Sequence, residues 1–263
     1  MRKIMTTQTI IGVILIIAAI ALLFIAPIYA IIPAGLLLVV AVLHLVMLGM
    51  AAGLGPFKKL QNFDREVEAL QKRYDANTRK GEIVFYGASN FRLWKDMEED
   101  LKPHVVQNHG IGGSTDIFLI KYAEKMLFPY EPKIVFFQTG SNEYTQLKGT
   151  DEERLNKCME IKDEMFTSFH ERLPEAKFVV MSGLLLPGRA RFVELTKGIN
   201  KKLKAYCEAH SDYMTFVDAE DLTYDGGNFR KELFISDMLH LNHDGQLLWR
   251  DNYIMPVLNE LDK

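Results

Sequence analysis

Ser89 follows a run of residues that is typical of a buried strand. Residues 82–86 are mostly β-branched or aromatic, and Gly87 ends the run. A helical pattern resumes at Phe91, so a strand, a turn and a helix would place Ser89 at the carboxyl edge of a sheet. Open α/β folds bind ligands at this edge. A serine after a strand also commonly caps the next helix, so this stretch alone leaves both roles open.

Two later loops hold groups that can bind a developing negative charge. Residues 108–115 (Asn-His-Gly-Ile-Gly-Gly-Ser-Thr) contain three glycines, which let backbone N–H groups approach a ligand closely. Their spacing does not fit the Gly-x-Gly-x-x-Gly fingerprint of dinucleotide-binding loops. In residues 139–143 (Thr-Gly-Ser-Asn-Glu) the Asn142 amide can donate into the same cleft. An asparagine at a strand end also commonly forms a local turn, which is the alternative for Asn142.

Asp237 and His240 lie three residues apart, shortly before the last helical pattern. This spacing lets a carboxylate accept a hydrogen bond from one imidazole nitrogen while the other nitrogen faces a cleft. Acyl transfer needs such an imidazole, because a serine hydroxyl is too weakly acidic to react unaided. A surface turn is the alternative for His240. Together with His243 and Asp244 it also suggests a metal cluster, but no matching ligands occur elsewhere, so no metal is predicted.

Short apolar runs and helical patterns alternate along the chain after residue 81. The predicted strands are residues 82–86, 105–108, 134–138, 177–181 and 214–217, and the predicted helices are residues 115–127, 151–173, 189–210 and about 243–258. This alternation predicts an α/β fold with a parallel sheet between two helical layers. Right-handed crossovers make a five-stranded, flavodoxin-like αβα sandwich the simplest topology. All four polar segments would then meet at one sheet edge.

With these segments in this order, the chain resembles the SGNH (GDSL-like) hydrolase family over residues 81–258. Gly-Ala-Ser ending at Ser89 stands where the family has Gly-Asp-Ser, and the loop of Gly113 resembles its second block. Gly-Ser-Asn-Glu around Asn142 stands where Gly-x-Asn-Asp is common, with Glu143 in place of the final acid. Asp-x-x-His ending at His240 matches the closing block.

The resemblance implies a serine esterase that works through an acyl-enzyme and needs no cofactor. Ser89 would be the nucleophile and Asp237 and His240 its partners, while Ser89, Gly113 and Asn142 would form the oxyanion hole. Capping of the helix would be a compatible second role of Ser89. The expected substrates are lipid or lysophospholipid esters, or O-acetyl groups. An O-acyltransferase using the same triad and a non-catalytic, membrane-anchored binding protein are the alternatives.

The N-terminal 56 residues predict a membrane anchor. Residues 4–57 contain no Asp, Glu, Lys or Arg. One continuous helix over residues 9–54 would be about 70 Å long, more than twice the thickness of a bilayer core, so two spans at about residues 9–26 and 34–54 fit better. Basic residues flank both ends of this hairpin, which favours a cytoplasmic catalytic domain. An uncleaved signal peptide plus a stop-transfer segment is the alternative, with a possible cleavage site near Tyr29 and Ala30.

Residues 57–80 predict an amphipathic linker helix between the hairpin and a hydrolase domain at residues 81–263. The net charge of −3 argues against a nucleic-acid partner. Cys158 and Cys207 fall in helical patterns and are expected to be buried apolar residues. Residues 184–188 (Leu-Leu-Leu-Pro-Gly) predict either the apolar rim of an acyl pocket or a buried strand end. The sequence does not indicate an oligomeric state.

Overall fold

A computed structural model describes residues 11–18, 20, 38–45 and 63–263. The chain divides into two compact units, Met1–Phe63 and Asp64–Lys263. The first unit is helical at residues 11–18, at residue 20 and at residues 38–45. These two helical segments meet at a glycine, because a β-carbon on Gly12 would lie 3.2 Å from Cδ2 of Leu45.

Most described side chains of the first unit are apolar and exposed, among them Ile14, Ile17, Val39 and Leu43. None of the helices formed by the described residues combines the length and the apolar character that crossing a bilayer requires. The predicted spans at residues 9–26 and 34–54 lie in large part outside the described residues. The anchor therefore stays a prediction.

In the second unit the first helix, α1 (Phe63–Arg73), begins with acidic residues and ends with basic ones, which suits the helix dipole. It buries Val67 and Leu70, and Tyr74 directly after it is also buried. From Asp64 onward this helix therefore belongs to the compact unit Asp64–Lys263, which begins before the predicted boundary at residue 81. The part of the predicted linker before Phe63 lies outside the described residues.

The five predicted strands form one parallel sheet. They are β1 (Ile83–Gly87), β2 (Val106–Gly110), β3 (Ile134–Gln138), β4 (Lys177–Met181) and β5 (Met214–Val217). Their order is β2-β1-β3-β4-β5, which confirms the predicted flavodoxin-like sheet. The strand β2 extends beyond its predicted end, because Gly87 pairs with Gly110 and the buried His109 ring finds partners in the Met126 carbonyl oxygen and the Gln107 side chain.

At the outer edge of the sheet, α1 and the residues after it cover β2. The Tyr74 hydroxyl accepts a hydrogen bond from the backbone N–H of Asn108 at 3.0 Å and donates one to Glu98 at 2.7 Å. Burial, reinforced by this carboxylate, raises the pKa of Tyr74. The phenol therefore stays neutral and can keep donating to Glu98 at any ordinary pH.

Helices cover both faces of the sheet. They are α2 (Ser89–Arg92), α3 (Met97–Asp100), α4 (Asp116–Met126), α5 (Ser141–Gln146), α6 (Asp151–Arg172), α7 (Val193–Ala209), α8 (Glu220–Thr223), α9 (His243–Trp249) and α10 (Met255–Leu261). A π-helical turn, Arg250–Ile254, joins α9 to α10. Short 3₁₀ segments occur at Phe128–Tyr130, Pro187–Phe192 and Lys231–Leu233, and a two-stranded hairpin joins β6 (Tyr224–Asp225) to β7 (Asn228–Phe229).

Aromatic side chains fill the core on both faces of the sheet. On one face Phe85 stacks on Phe136 with ring centroids 4.6 Å apart, and Phe91 stacks on Trp249 at 5.6 Å. On the opposite face Phe137 meets several rings edge-on or tilted, those of Tyr86, Phe166, Phe169 and Phe178. Ring packing of this kind adds to the free energy gained from burying apolar area. The sheet is therefore fixed on both sides beneath its carboxyl edge.

The segment after β4 differs from its prediction. A helix was predicted from residue 189, but α7 begins at Val193, because Pro187–Phe192 form a 3₁₀ segment in which Arg189 is non-helical (φ −126°, ψ 30°). The three leucines before it are buried, so of the two predictions for residues 184–188 the buried strand end is the correct one for Leu184, Leu185 and Leu186.

Both cysteines are buried and unpaired, as predicted. Desolvation raises the pKa of each thiol, Cys158 and Cys207, to about 12. They therefore remain neutral, apolar parts of the core and have no nucleophilic character at neutral pH.

A tight backbone contact fixes α2 against β2. A β-carbon on Gly110 would lie 2.3 Å from the backbone nitrogen of Arg92 and 2.8 Å from the carbonyl carbon of Phe91. Backbone atoms cannot rotate away as a side chain can. Only glycine therefore allows α2 to lie where it does, with Ser89 as its first residue.

We predict that Gly110→Ala will lower the free energy of unfolding by about 1–3 kcal/mol, the usual cost of overpacking a filled site. Gly112→Ala is the matched control, because its new β-carbon would meet only the flexible side chain of Arg92, at 3.0 Å from Nη1. Urea unfolding can be followed by the fluorescence of Trp94 and Trp249, both buried near α2. Equal stability of the two variants would contradict this account of the contact.

Candidate active site

Ser89 is the first residue of α2, directly beyond the end of β1. The strand ends in Gly87, where a β-carbon would lie 2.5 Å from the carbonyl oxygen of Gln138 on β3. The residue that caps α2 is Ala88, and no side chain caps this helix. The predicted capping role of Ser89 is therefore wrong, because Ser89 lies one position past the cap and its hydroxyl is engaged elsewhere.

That hydroxyl contacts His240. Oγ of Ser89 lies 2.8 Å from Nε2 of His240, and Nδ1 of the same ring lies 2.6 Å from Oδ2 of Asp237. Since the Asp237 carboxylate can only accept, Nδ1 carries a proton and donates it to Oδ2. In the neutral ring Nε2 is then the acceptor and the serine hydroxyl donates to it. The structure thus brings together the three side chains that the sequence singled out. Ser89 and His240 are 151 residues apart in the chain.

A tight turn holds Asp237 and His240 in this arrangement. Oδ1 of Asp237 accepts from the backbone N–H groups of Leu239 at 2.9 Å and His240 at 3.1 Å. Met238 between them has a positive φ of 59°, in the left-handed region that a side chain rarely adopts. Its carbonyl oxygen accepts from the N–H of Gly188 at 2.8 Å, so the segment after β4 supports the turn.

The carboxyl group of Asp237 stays ionised. Burial by itself would raise the pKa of Asp237, but the hydrogen bond from the His240 ring, the backbone N–H groups of Leu239 and His240 and the charge of the imidazolium outweigh it, so the pKa lies below its ordinary value. An ionised Asp237 holds one tautomer of His240 and stabilises the imidazolium that forms when the ring takes a proton.

The backbone N–H groups of Ser89 and Gly113 are open. Ser89 begins its helix, so its N–H has no intrahelical acceptor. Gly113, with φ +73°, lies in the loop between β2 and α4, and this left-handed conformation suits glycine. Within the described part of the chain neither N–H donates a backbone hydrogen bond. Open N–H groups of this kind can bind an oxyanion.

Asn142 is the second residue of α5, which follows Gly140 at φ +111°. Its Nδ2 donates to the carbonyl oxygen of Ser114 at 3.0 Å, and its Oδ1 accepts from Nη2 of Arg189 at 2.9 Å. A primary amide nitrogen has two N–H donors. One hydrogen therefore remains available to a ligand while the other binds the loop that contains Gly113.

A buried ionic cluster lies next to these loops. Nζ of Lys162 is 2.9 Å from Oδ2 of Asp116 and donates to Thr139 Oγ1 at 2.9 Å. Glu143, the acid after Asn142, accepts from the backbone N–H of Asp116 at 2.8 Å. Lys162, Asp116 and Glu143 are each at most 3% exposed. The cluster thus joins α6 to the starts of α4 and α5, the helices next to Gly113 and Asn142.

Glu143 differs from an ordinary glutamate. Burial, followed by the nearby Asp116 carboxylate, raises the pKa of Glu143 above its usual value. Two carboxylates and one ammonium carry a net negative charge in this buried cluster, and a proton on Glu143 would neutralise it. Glu143 stands in place of the aspartate of Gly-x-Asn-Asp. Its carboxylate binds the backbone N–H of Asp116 at the start of α4.

A comparison with known proteins identifies the family of this chain. Residues 81–248, more than half of the chain, match the family described as GDSL-like Lipase/Acylhydrolase. The chain belongs to this family. The resemblance to GDSL-like hydrolases is confirmed, and the protein is an enzyme of the class that hydrolyses ester bonds. A comparison with curated proteins gave no match.

Solved structures described as an acylhydrolase, a lipase and an esterase share this fold. A protein provisionally described as an acylhydrolase, from Bacteroides fragilis, superimposes with a TM-score of 0.61 at 18% identity, covering 77% of this chain and 98% of its own. A GDSL-like lipase from Bacteroides thetaiotaomicron gives 0.57 at 15% identity, with 76% and 98% covered. A variant of an acetyl-xylooligosaccharide esterase from Geobacillus stearmophilus gives 0.51 at 15% identity, with 70% and 95% covered. At these identities the likeness shows the fold alone.

Sequence reasoning missed the residues that support the site. Lys162 and Asp116 are charged residues in helical patterns, which normally indicate a solvated face, and no motif marks Arg189. His243, considered above as a metal ligand, is about half exposed and lies 3.9 Å from Asp100. It takes no part in the contacts around Ser89.

We predict that Lys162→Met will lower the free energy of unfolding by about 3–5 kcal/mol, because it leaves two buried carboxylates without their cation. Lys157→Met on the same helix is the control. Lys157 pairs with Glu160 at the surface, where substitutions usually change stability by no more than about 0.5 kcal/mol.

The loss in Lys162→Met should shrink as the pH falls from 7 to 5. Burial and the Asp116 carboxylate raise the pKa of Glu143 already in the wild type, and loss of the ammonium raises it further. The folded variant therefore binds a proton on Glu143 more readily than the unfolded chain does and gains stability in acid. Urea unfolding at several pH values measures this, and a loss that is constant with pH would contradict a charged cluster.

Proposed function

We propose that this GDSL-like hydrolase is a serine esterase in which Ser89, His240 and Asp237 form the catalytic triad. The observation that carries the proposal is the continuous hydrogen-bonded path from Ser89 Oγ through His240 to Asp237, with distances of 2.8 and 2.6 Å. Each contact has the donor and acceptor order that general-base catalysis requires.

In the proposed reaction Nε2 of His240 takes the hydroxyl proton as Oγ of Ser89 attacks the ester carbonyl carbon. The tetrahedral intermediate then collapses, and the alkoxide leaves as an alcohol with the proton that His240 returns. Water attacks the acyl-enzyme by the same route, releasing the carboxylic acid and restoring Ser89. Asp237 keeps its charge throughout and stabilises the imidazolium.

The oxyanion of each tetrahedral intermediate would bind the N–H groups of Ser89 and Gly113 and the free N–H of Asn142. Two observations support this. Both backbone N–H groups are unpaired in the described part of the chain, and hydrogen bonds at Nδ2 and Oδ1 fix the Asn142 amide. Because these donors are fixed before reaction, little reorganisation is required when the charge develops.

We expect a fluorophosphonate probe to label the wild-type protein and to leave Ser89→Ala unlabelled, because the probe reacts with an activated serine. Ser211→Ala, at an exposed position beside α7, should be labelled as the wild type is.

Asn142→Ala should stay folded, and its kcat should fall by about 10²–10³-fold, the usual effect of removing one oxyanion donor. A folded wild-type protein that the probe does not label would refute the proposed function.

For the substrate we propose an ester of a lipid acyl chain. In residues 63–263 the exposed large apolar side chains are Val105, Ile117 and Ile235. Two of them belong to segments that carry proposed site residues: Ile117 lies four residues after Gly113, and Ile235 lies two residues before Asp237. The backbone of Ile235 also bonds to that of His240 at 2.9 Å. Exposed apolar side chains on the segments that carry the proposed site residues favour an apolar substrate.

A membrane anchor is compatible with this substrate. We propose that residues 1–56 form the two-span hairpin and that the catalytic unit faces the cytoplasm. The support is the uncharged run of residues 4–57 and the exposed apolar side chains of the helical segments at residues 11–18 and 38–45. A membrane-impermeant fluorophosphonate should then label the protein only after cells are lysed. Labelling of intact cells would show that the catalytic unit faces outward instead.

The double variant Ile117→Ser, Ile235→Ser should hydrolyse a long-chain ester presented in vesicles at least about tenfold more slowly, because it loses more than 1.4 kcal/mol of apolar contact. It should hydrolyse a short soluble acetate ester at the wild-type rate. Val105→Ser is the control, because Val105 precedes β2 and so lies at the opposite end of the sheet. If the wild type hydrolyses acetyl esters faster than long-chain esters, O-acetyl groups are the better candidate substrates. If it transfers the acyl group to an added alcohol, the protein is better described as an acyltransferase.

A further inference from the structure

Arg189 occupies a defined position in the 3₁₀ segment Pro187–Phe192, directly after β4. Leu185 and Leu186 before it are buried, and the N–H of Gly188 binds Met238 in the turn of Asp237 and His240. A β-carbon on Gly188 would lie 2.8 Å from Cδ2 of Leu239, so the two segments are closely packed. The backbone of Arg189 is therefore fixed against the proposed site.

The guanidinium of Arg189 determines which way the Asn142 amide faces. Arginine can only donate hydrogen bonds and a backbone carbonyl can only accept them. With Oδ1 towards Arg189 and Nδ2 towards the Ser114 carbonyl, both contacts of Asn142 are satisfied, at 2.9 and 3.0 Å. Rotating the amide by 180° would set donor against donor and acceptor against acceptor. Arg189 thus favours the orientation that leaves an N–H for the oxyanion.

The charge of Arg189 is also unusual. In the described part of the chain no carboxylate lies within 4.0 Å of its guanidinium, whereas most other arginines there pair with an acid. Its Nη1 group is buried and has no hydrogen-bond partner among the described residues. Burial lowers the pKa of Arg189 and the neighbouring Tyr144 partly offsets this, yet arginine stays protonated in proteins. An uncompensated positive charge therefore lies one side chain away from the oxyanion hole.

We propose that Arg189 is a positioning residue of the esterase: it orients the Asn142 amide and, through that hydrogen bond, strengthens the amide as an oxyanion donor. This inference rests on the proposed function. A bond from a charged donor polarises the amide, so the remaining N–H of Asn142 binds a negative oxygen more strongly. Since the oxyanion exists only in the transition state and the intermediates, the effect belongs to kcat and leaves KM nearly unchanged.

The experiment measures kcat and KM of the full-length protein on a short soluble ester. Arg189→Ala should lower kcat about 10- to 100-fold, the range for a hydrogen bond to a charged group, with little change in KM. Arg189→Lys, which keeps the charge, should recover part of the loss, as should added guanidinium with Arg189→Ala. Arg191→Ala is the control, because Arg191 belongs to the same 3₁₀ segment but is exposed and lies over the Phe192 ring.

A double-mutant cycle separates positioning from a general structural effect. If Arg189 acts through Asn142, the pair Asn142→Ala, Arg189→Ala should be no slower than Asn142→Ala alone. Additive losses, or an Arg189→Ala variant as active as Arg191→Ala, would overturn the inference while leaving the esterase intact. An inactive wild-type protein would refute the proposed function instead. Urea unfolding of each variant shows whether a lost rate reflects lost folding, and Arg189→Lys keeps the test valid if Arg189→Ala unfolds.

Discussion

The backbone of α2 lies directly against the last residue of β2, and this contact sets the position of Ser89. Gly110 has no room for a side chain, and Gly87 has none either because the carbonyl of Gln138 faces it. Both glycines lie at the ends of parallel strands, so the tight packing occurs at the edge where the loops meet. The hydroxyl of Ser89 is therefore positioned by rigid backbone, which allows a 2.8 Å contact with a histidine from the far end of the chain.

Around that serine the remaining loops support one another through polar contacts. Gly188 binds the turn of His240, the adjacent Arg189 binds Asn142, and Asn142 binds the loop of Gly113 through Ser114. Beneath them the cluster of Lys162, Asp116 and Glu143 fixes the helices that follow two of these loops. Each contact pairs a donor with an acceptor in a partly buried setting, where an unsatisfied group would be costly. The site is thus built as one connected polar layer above an aromatic core.

Much of the fold could be predicted from the sequence, because buried parallel strands appear as short apolar runs and helices as periodic ones. Three strands agree with their predicted ranges, residues 134–138, 177–181 and 214–217. The strand β2 was predicted to end at Asn108, whereas it continues to Gly110, because the buried His109 is satisfied by tertiary partners that a local pattern cannot reveal. Residues 189–192 of the 3₁₀ segment Pro187–Phe192 were predicted as the start of a helix, because a local pattern does not reveal the tertiary contacts of this segment either. Its conformation is set by packing against the histidine turn.

The candidate site followed from residue type and order, whereas its supports did not. Ser89, Asp237 and His240 carry chemistry in their side chains and lie at strand ends or beside the last helix, so they could be found. Arg189 and Lys162 are ordinary cations in the sequence, and their roles are visible only from the buried groups that surround them in the fold.

The hydrogen bond between the Tyr74 hydroxyl and the backbone of β2 has a different consequence. Together with α1 it occupies an edge at which another chain could otherwise add a strand, so a shortened protein beginning at residue 81 would present an open template for aggregation.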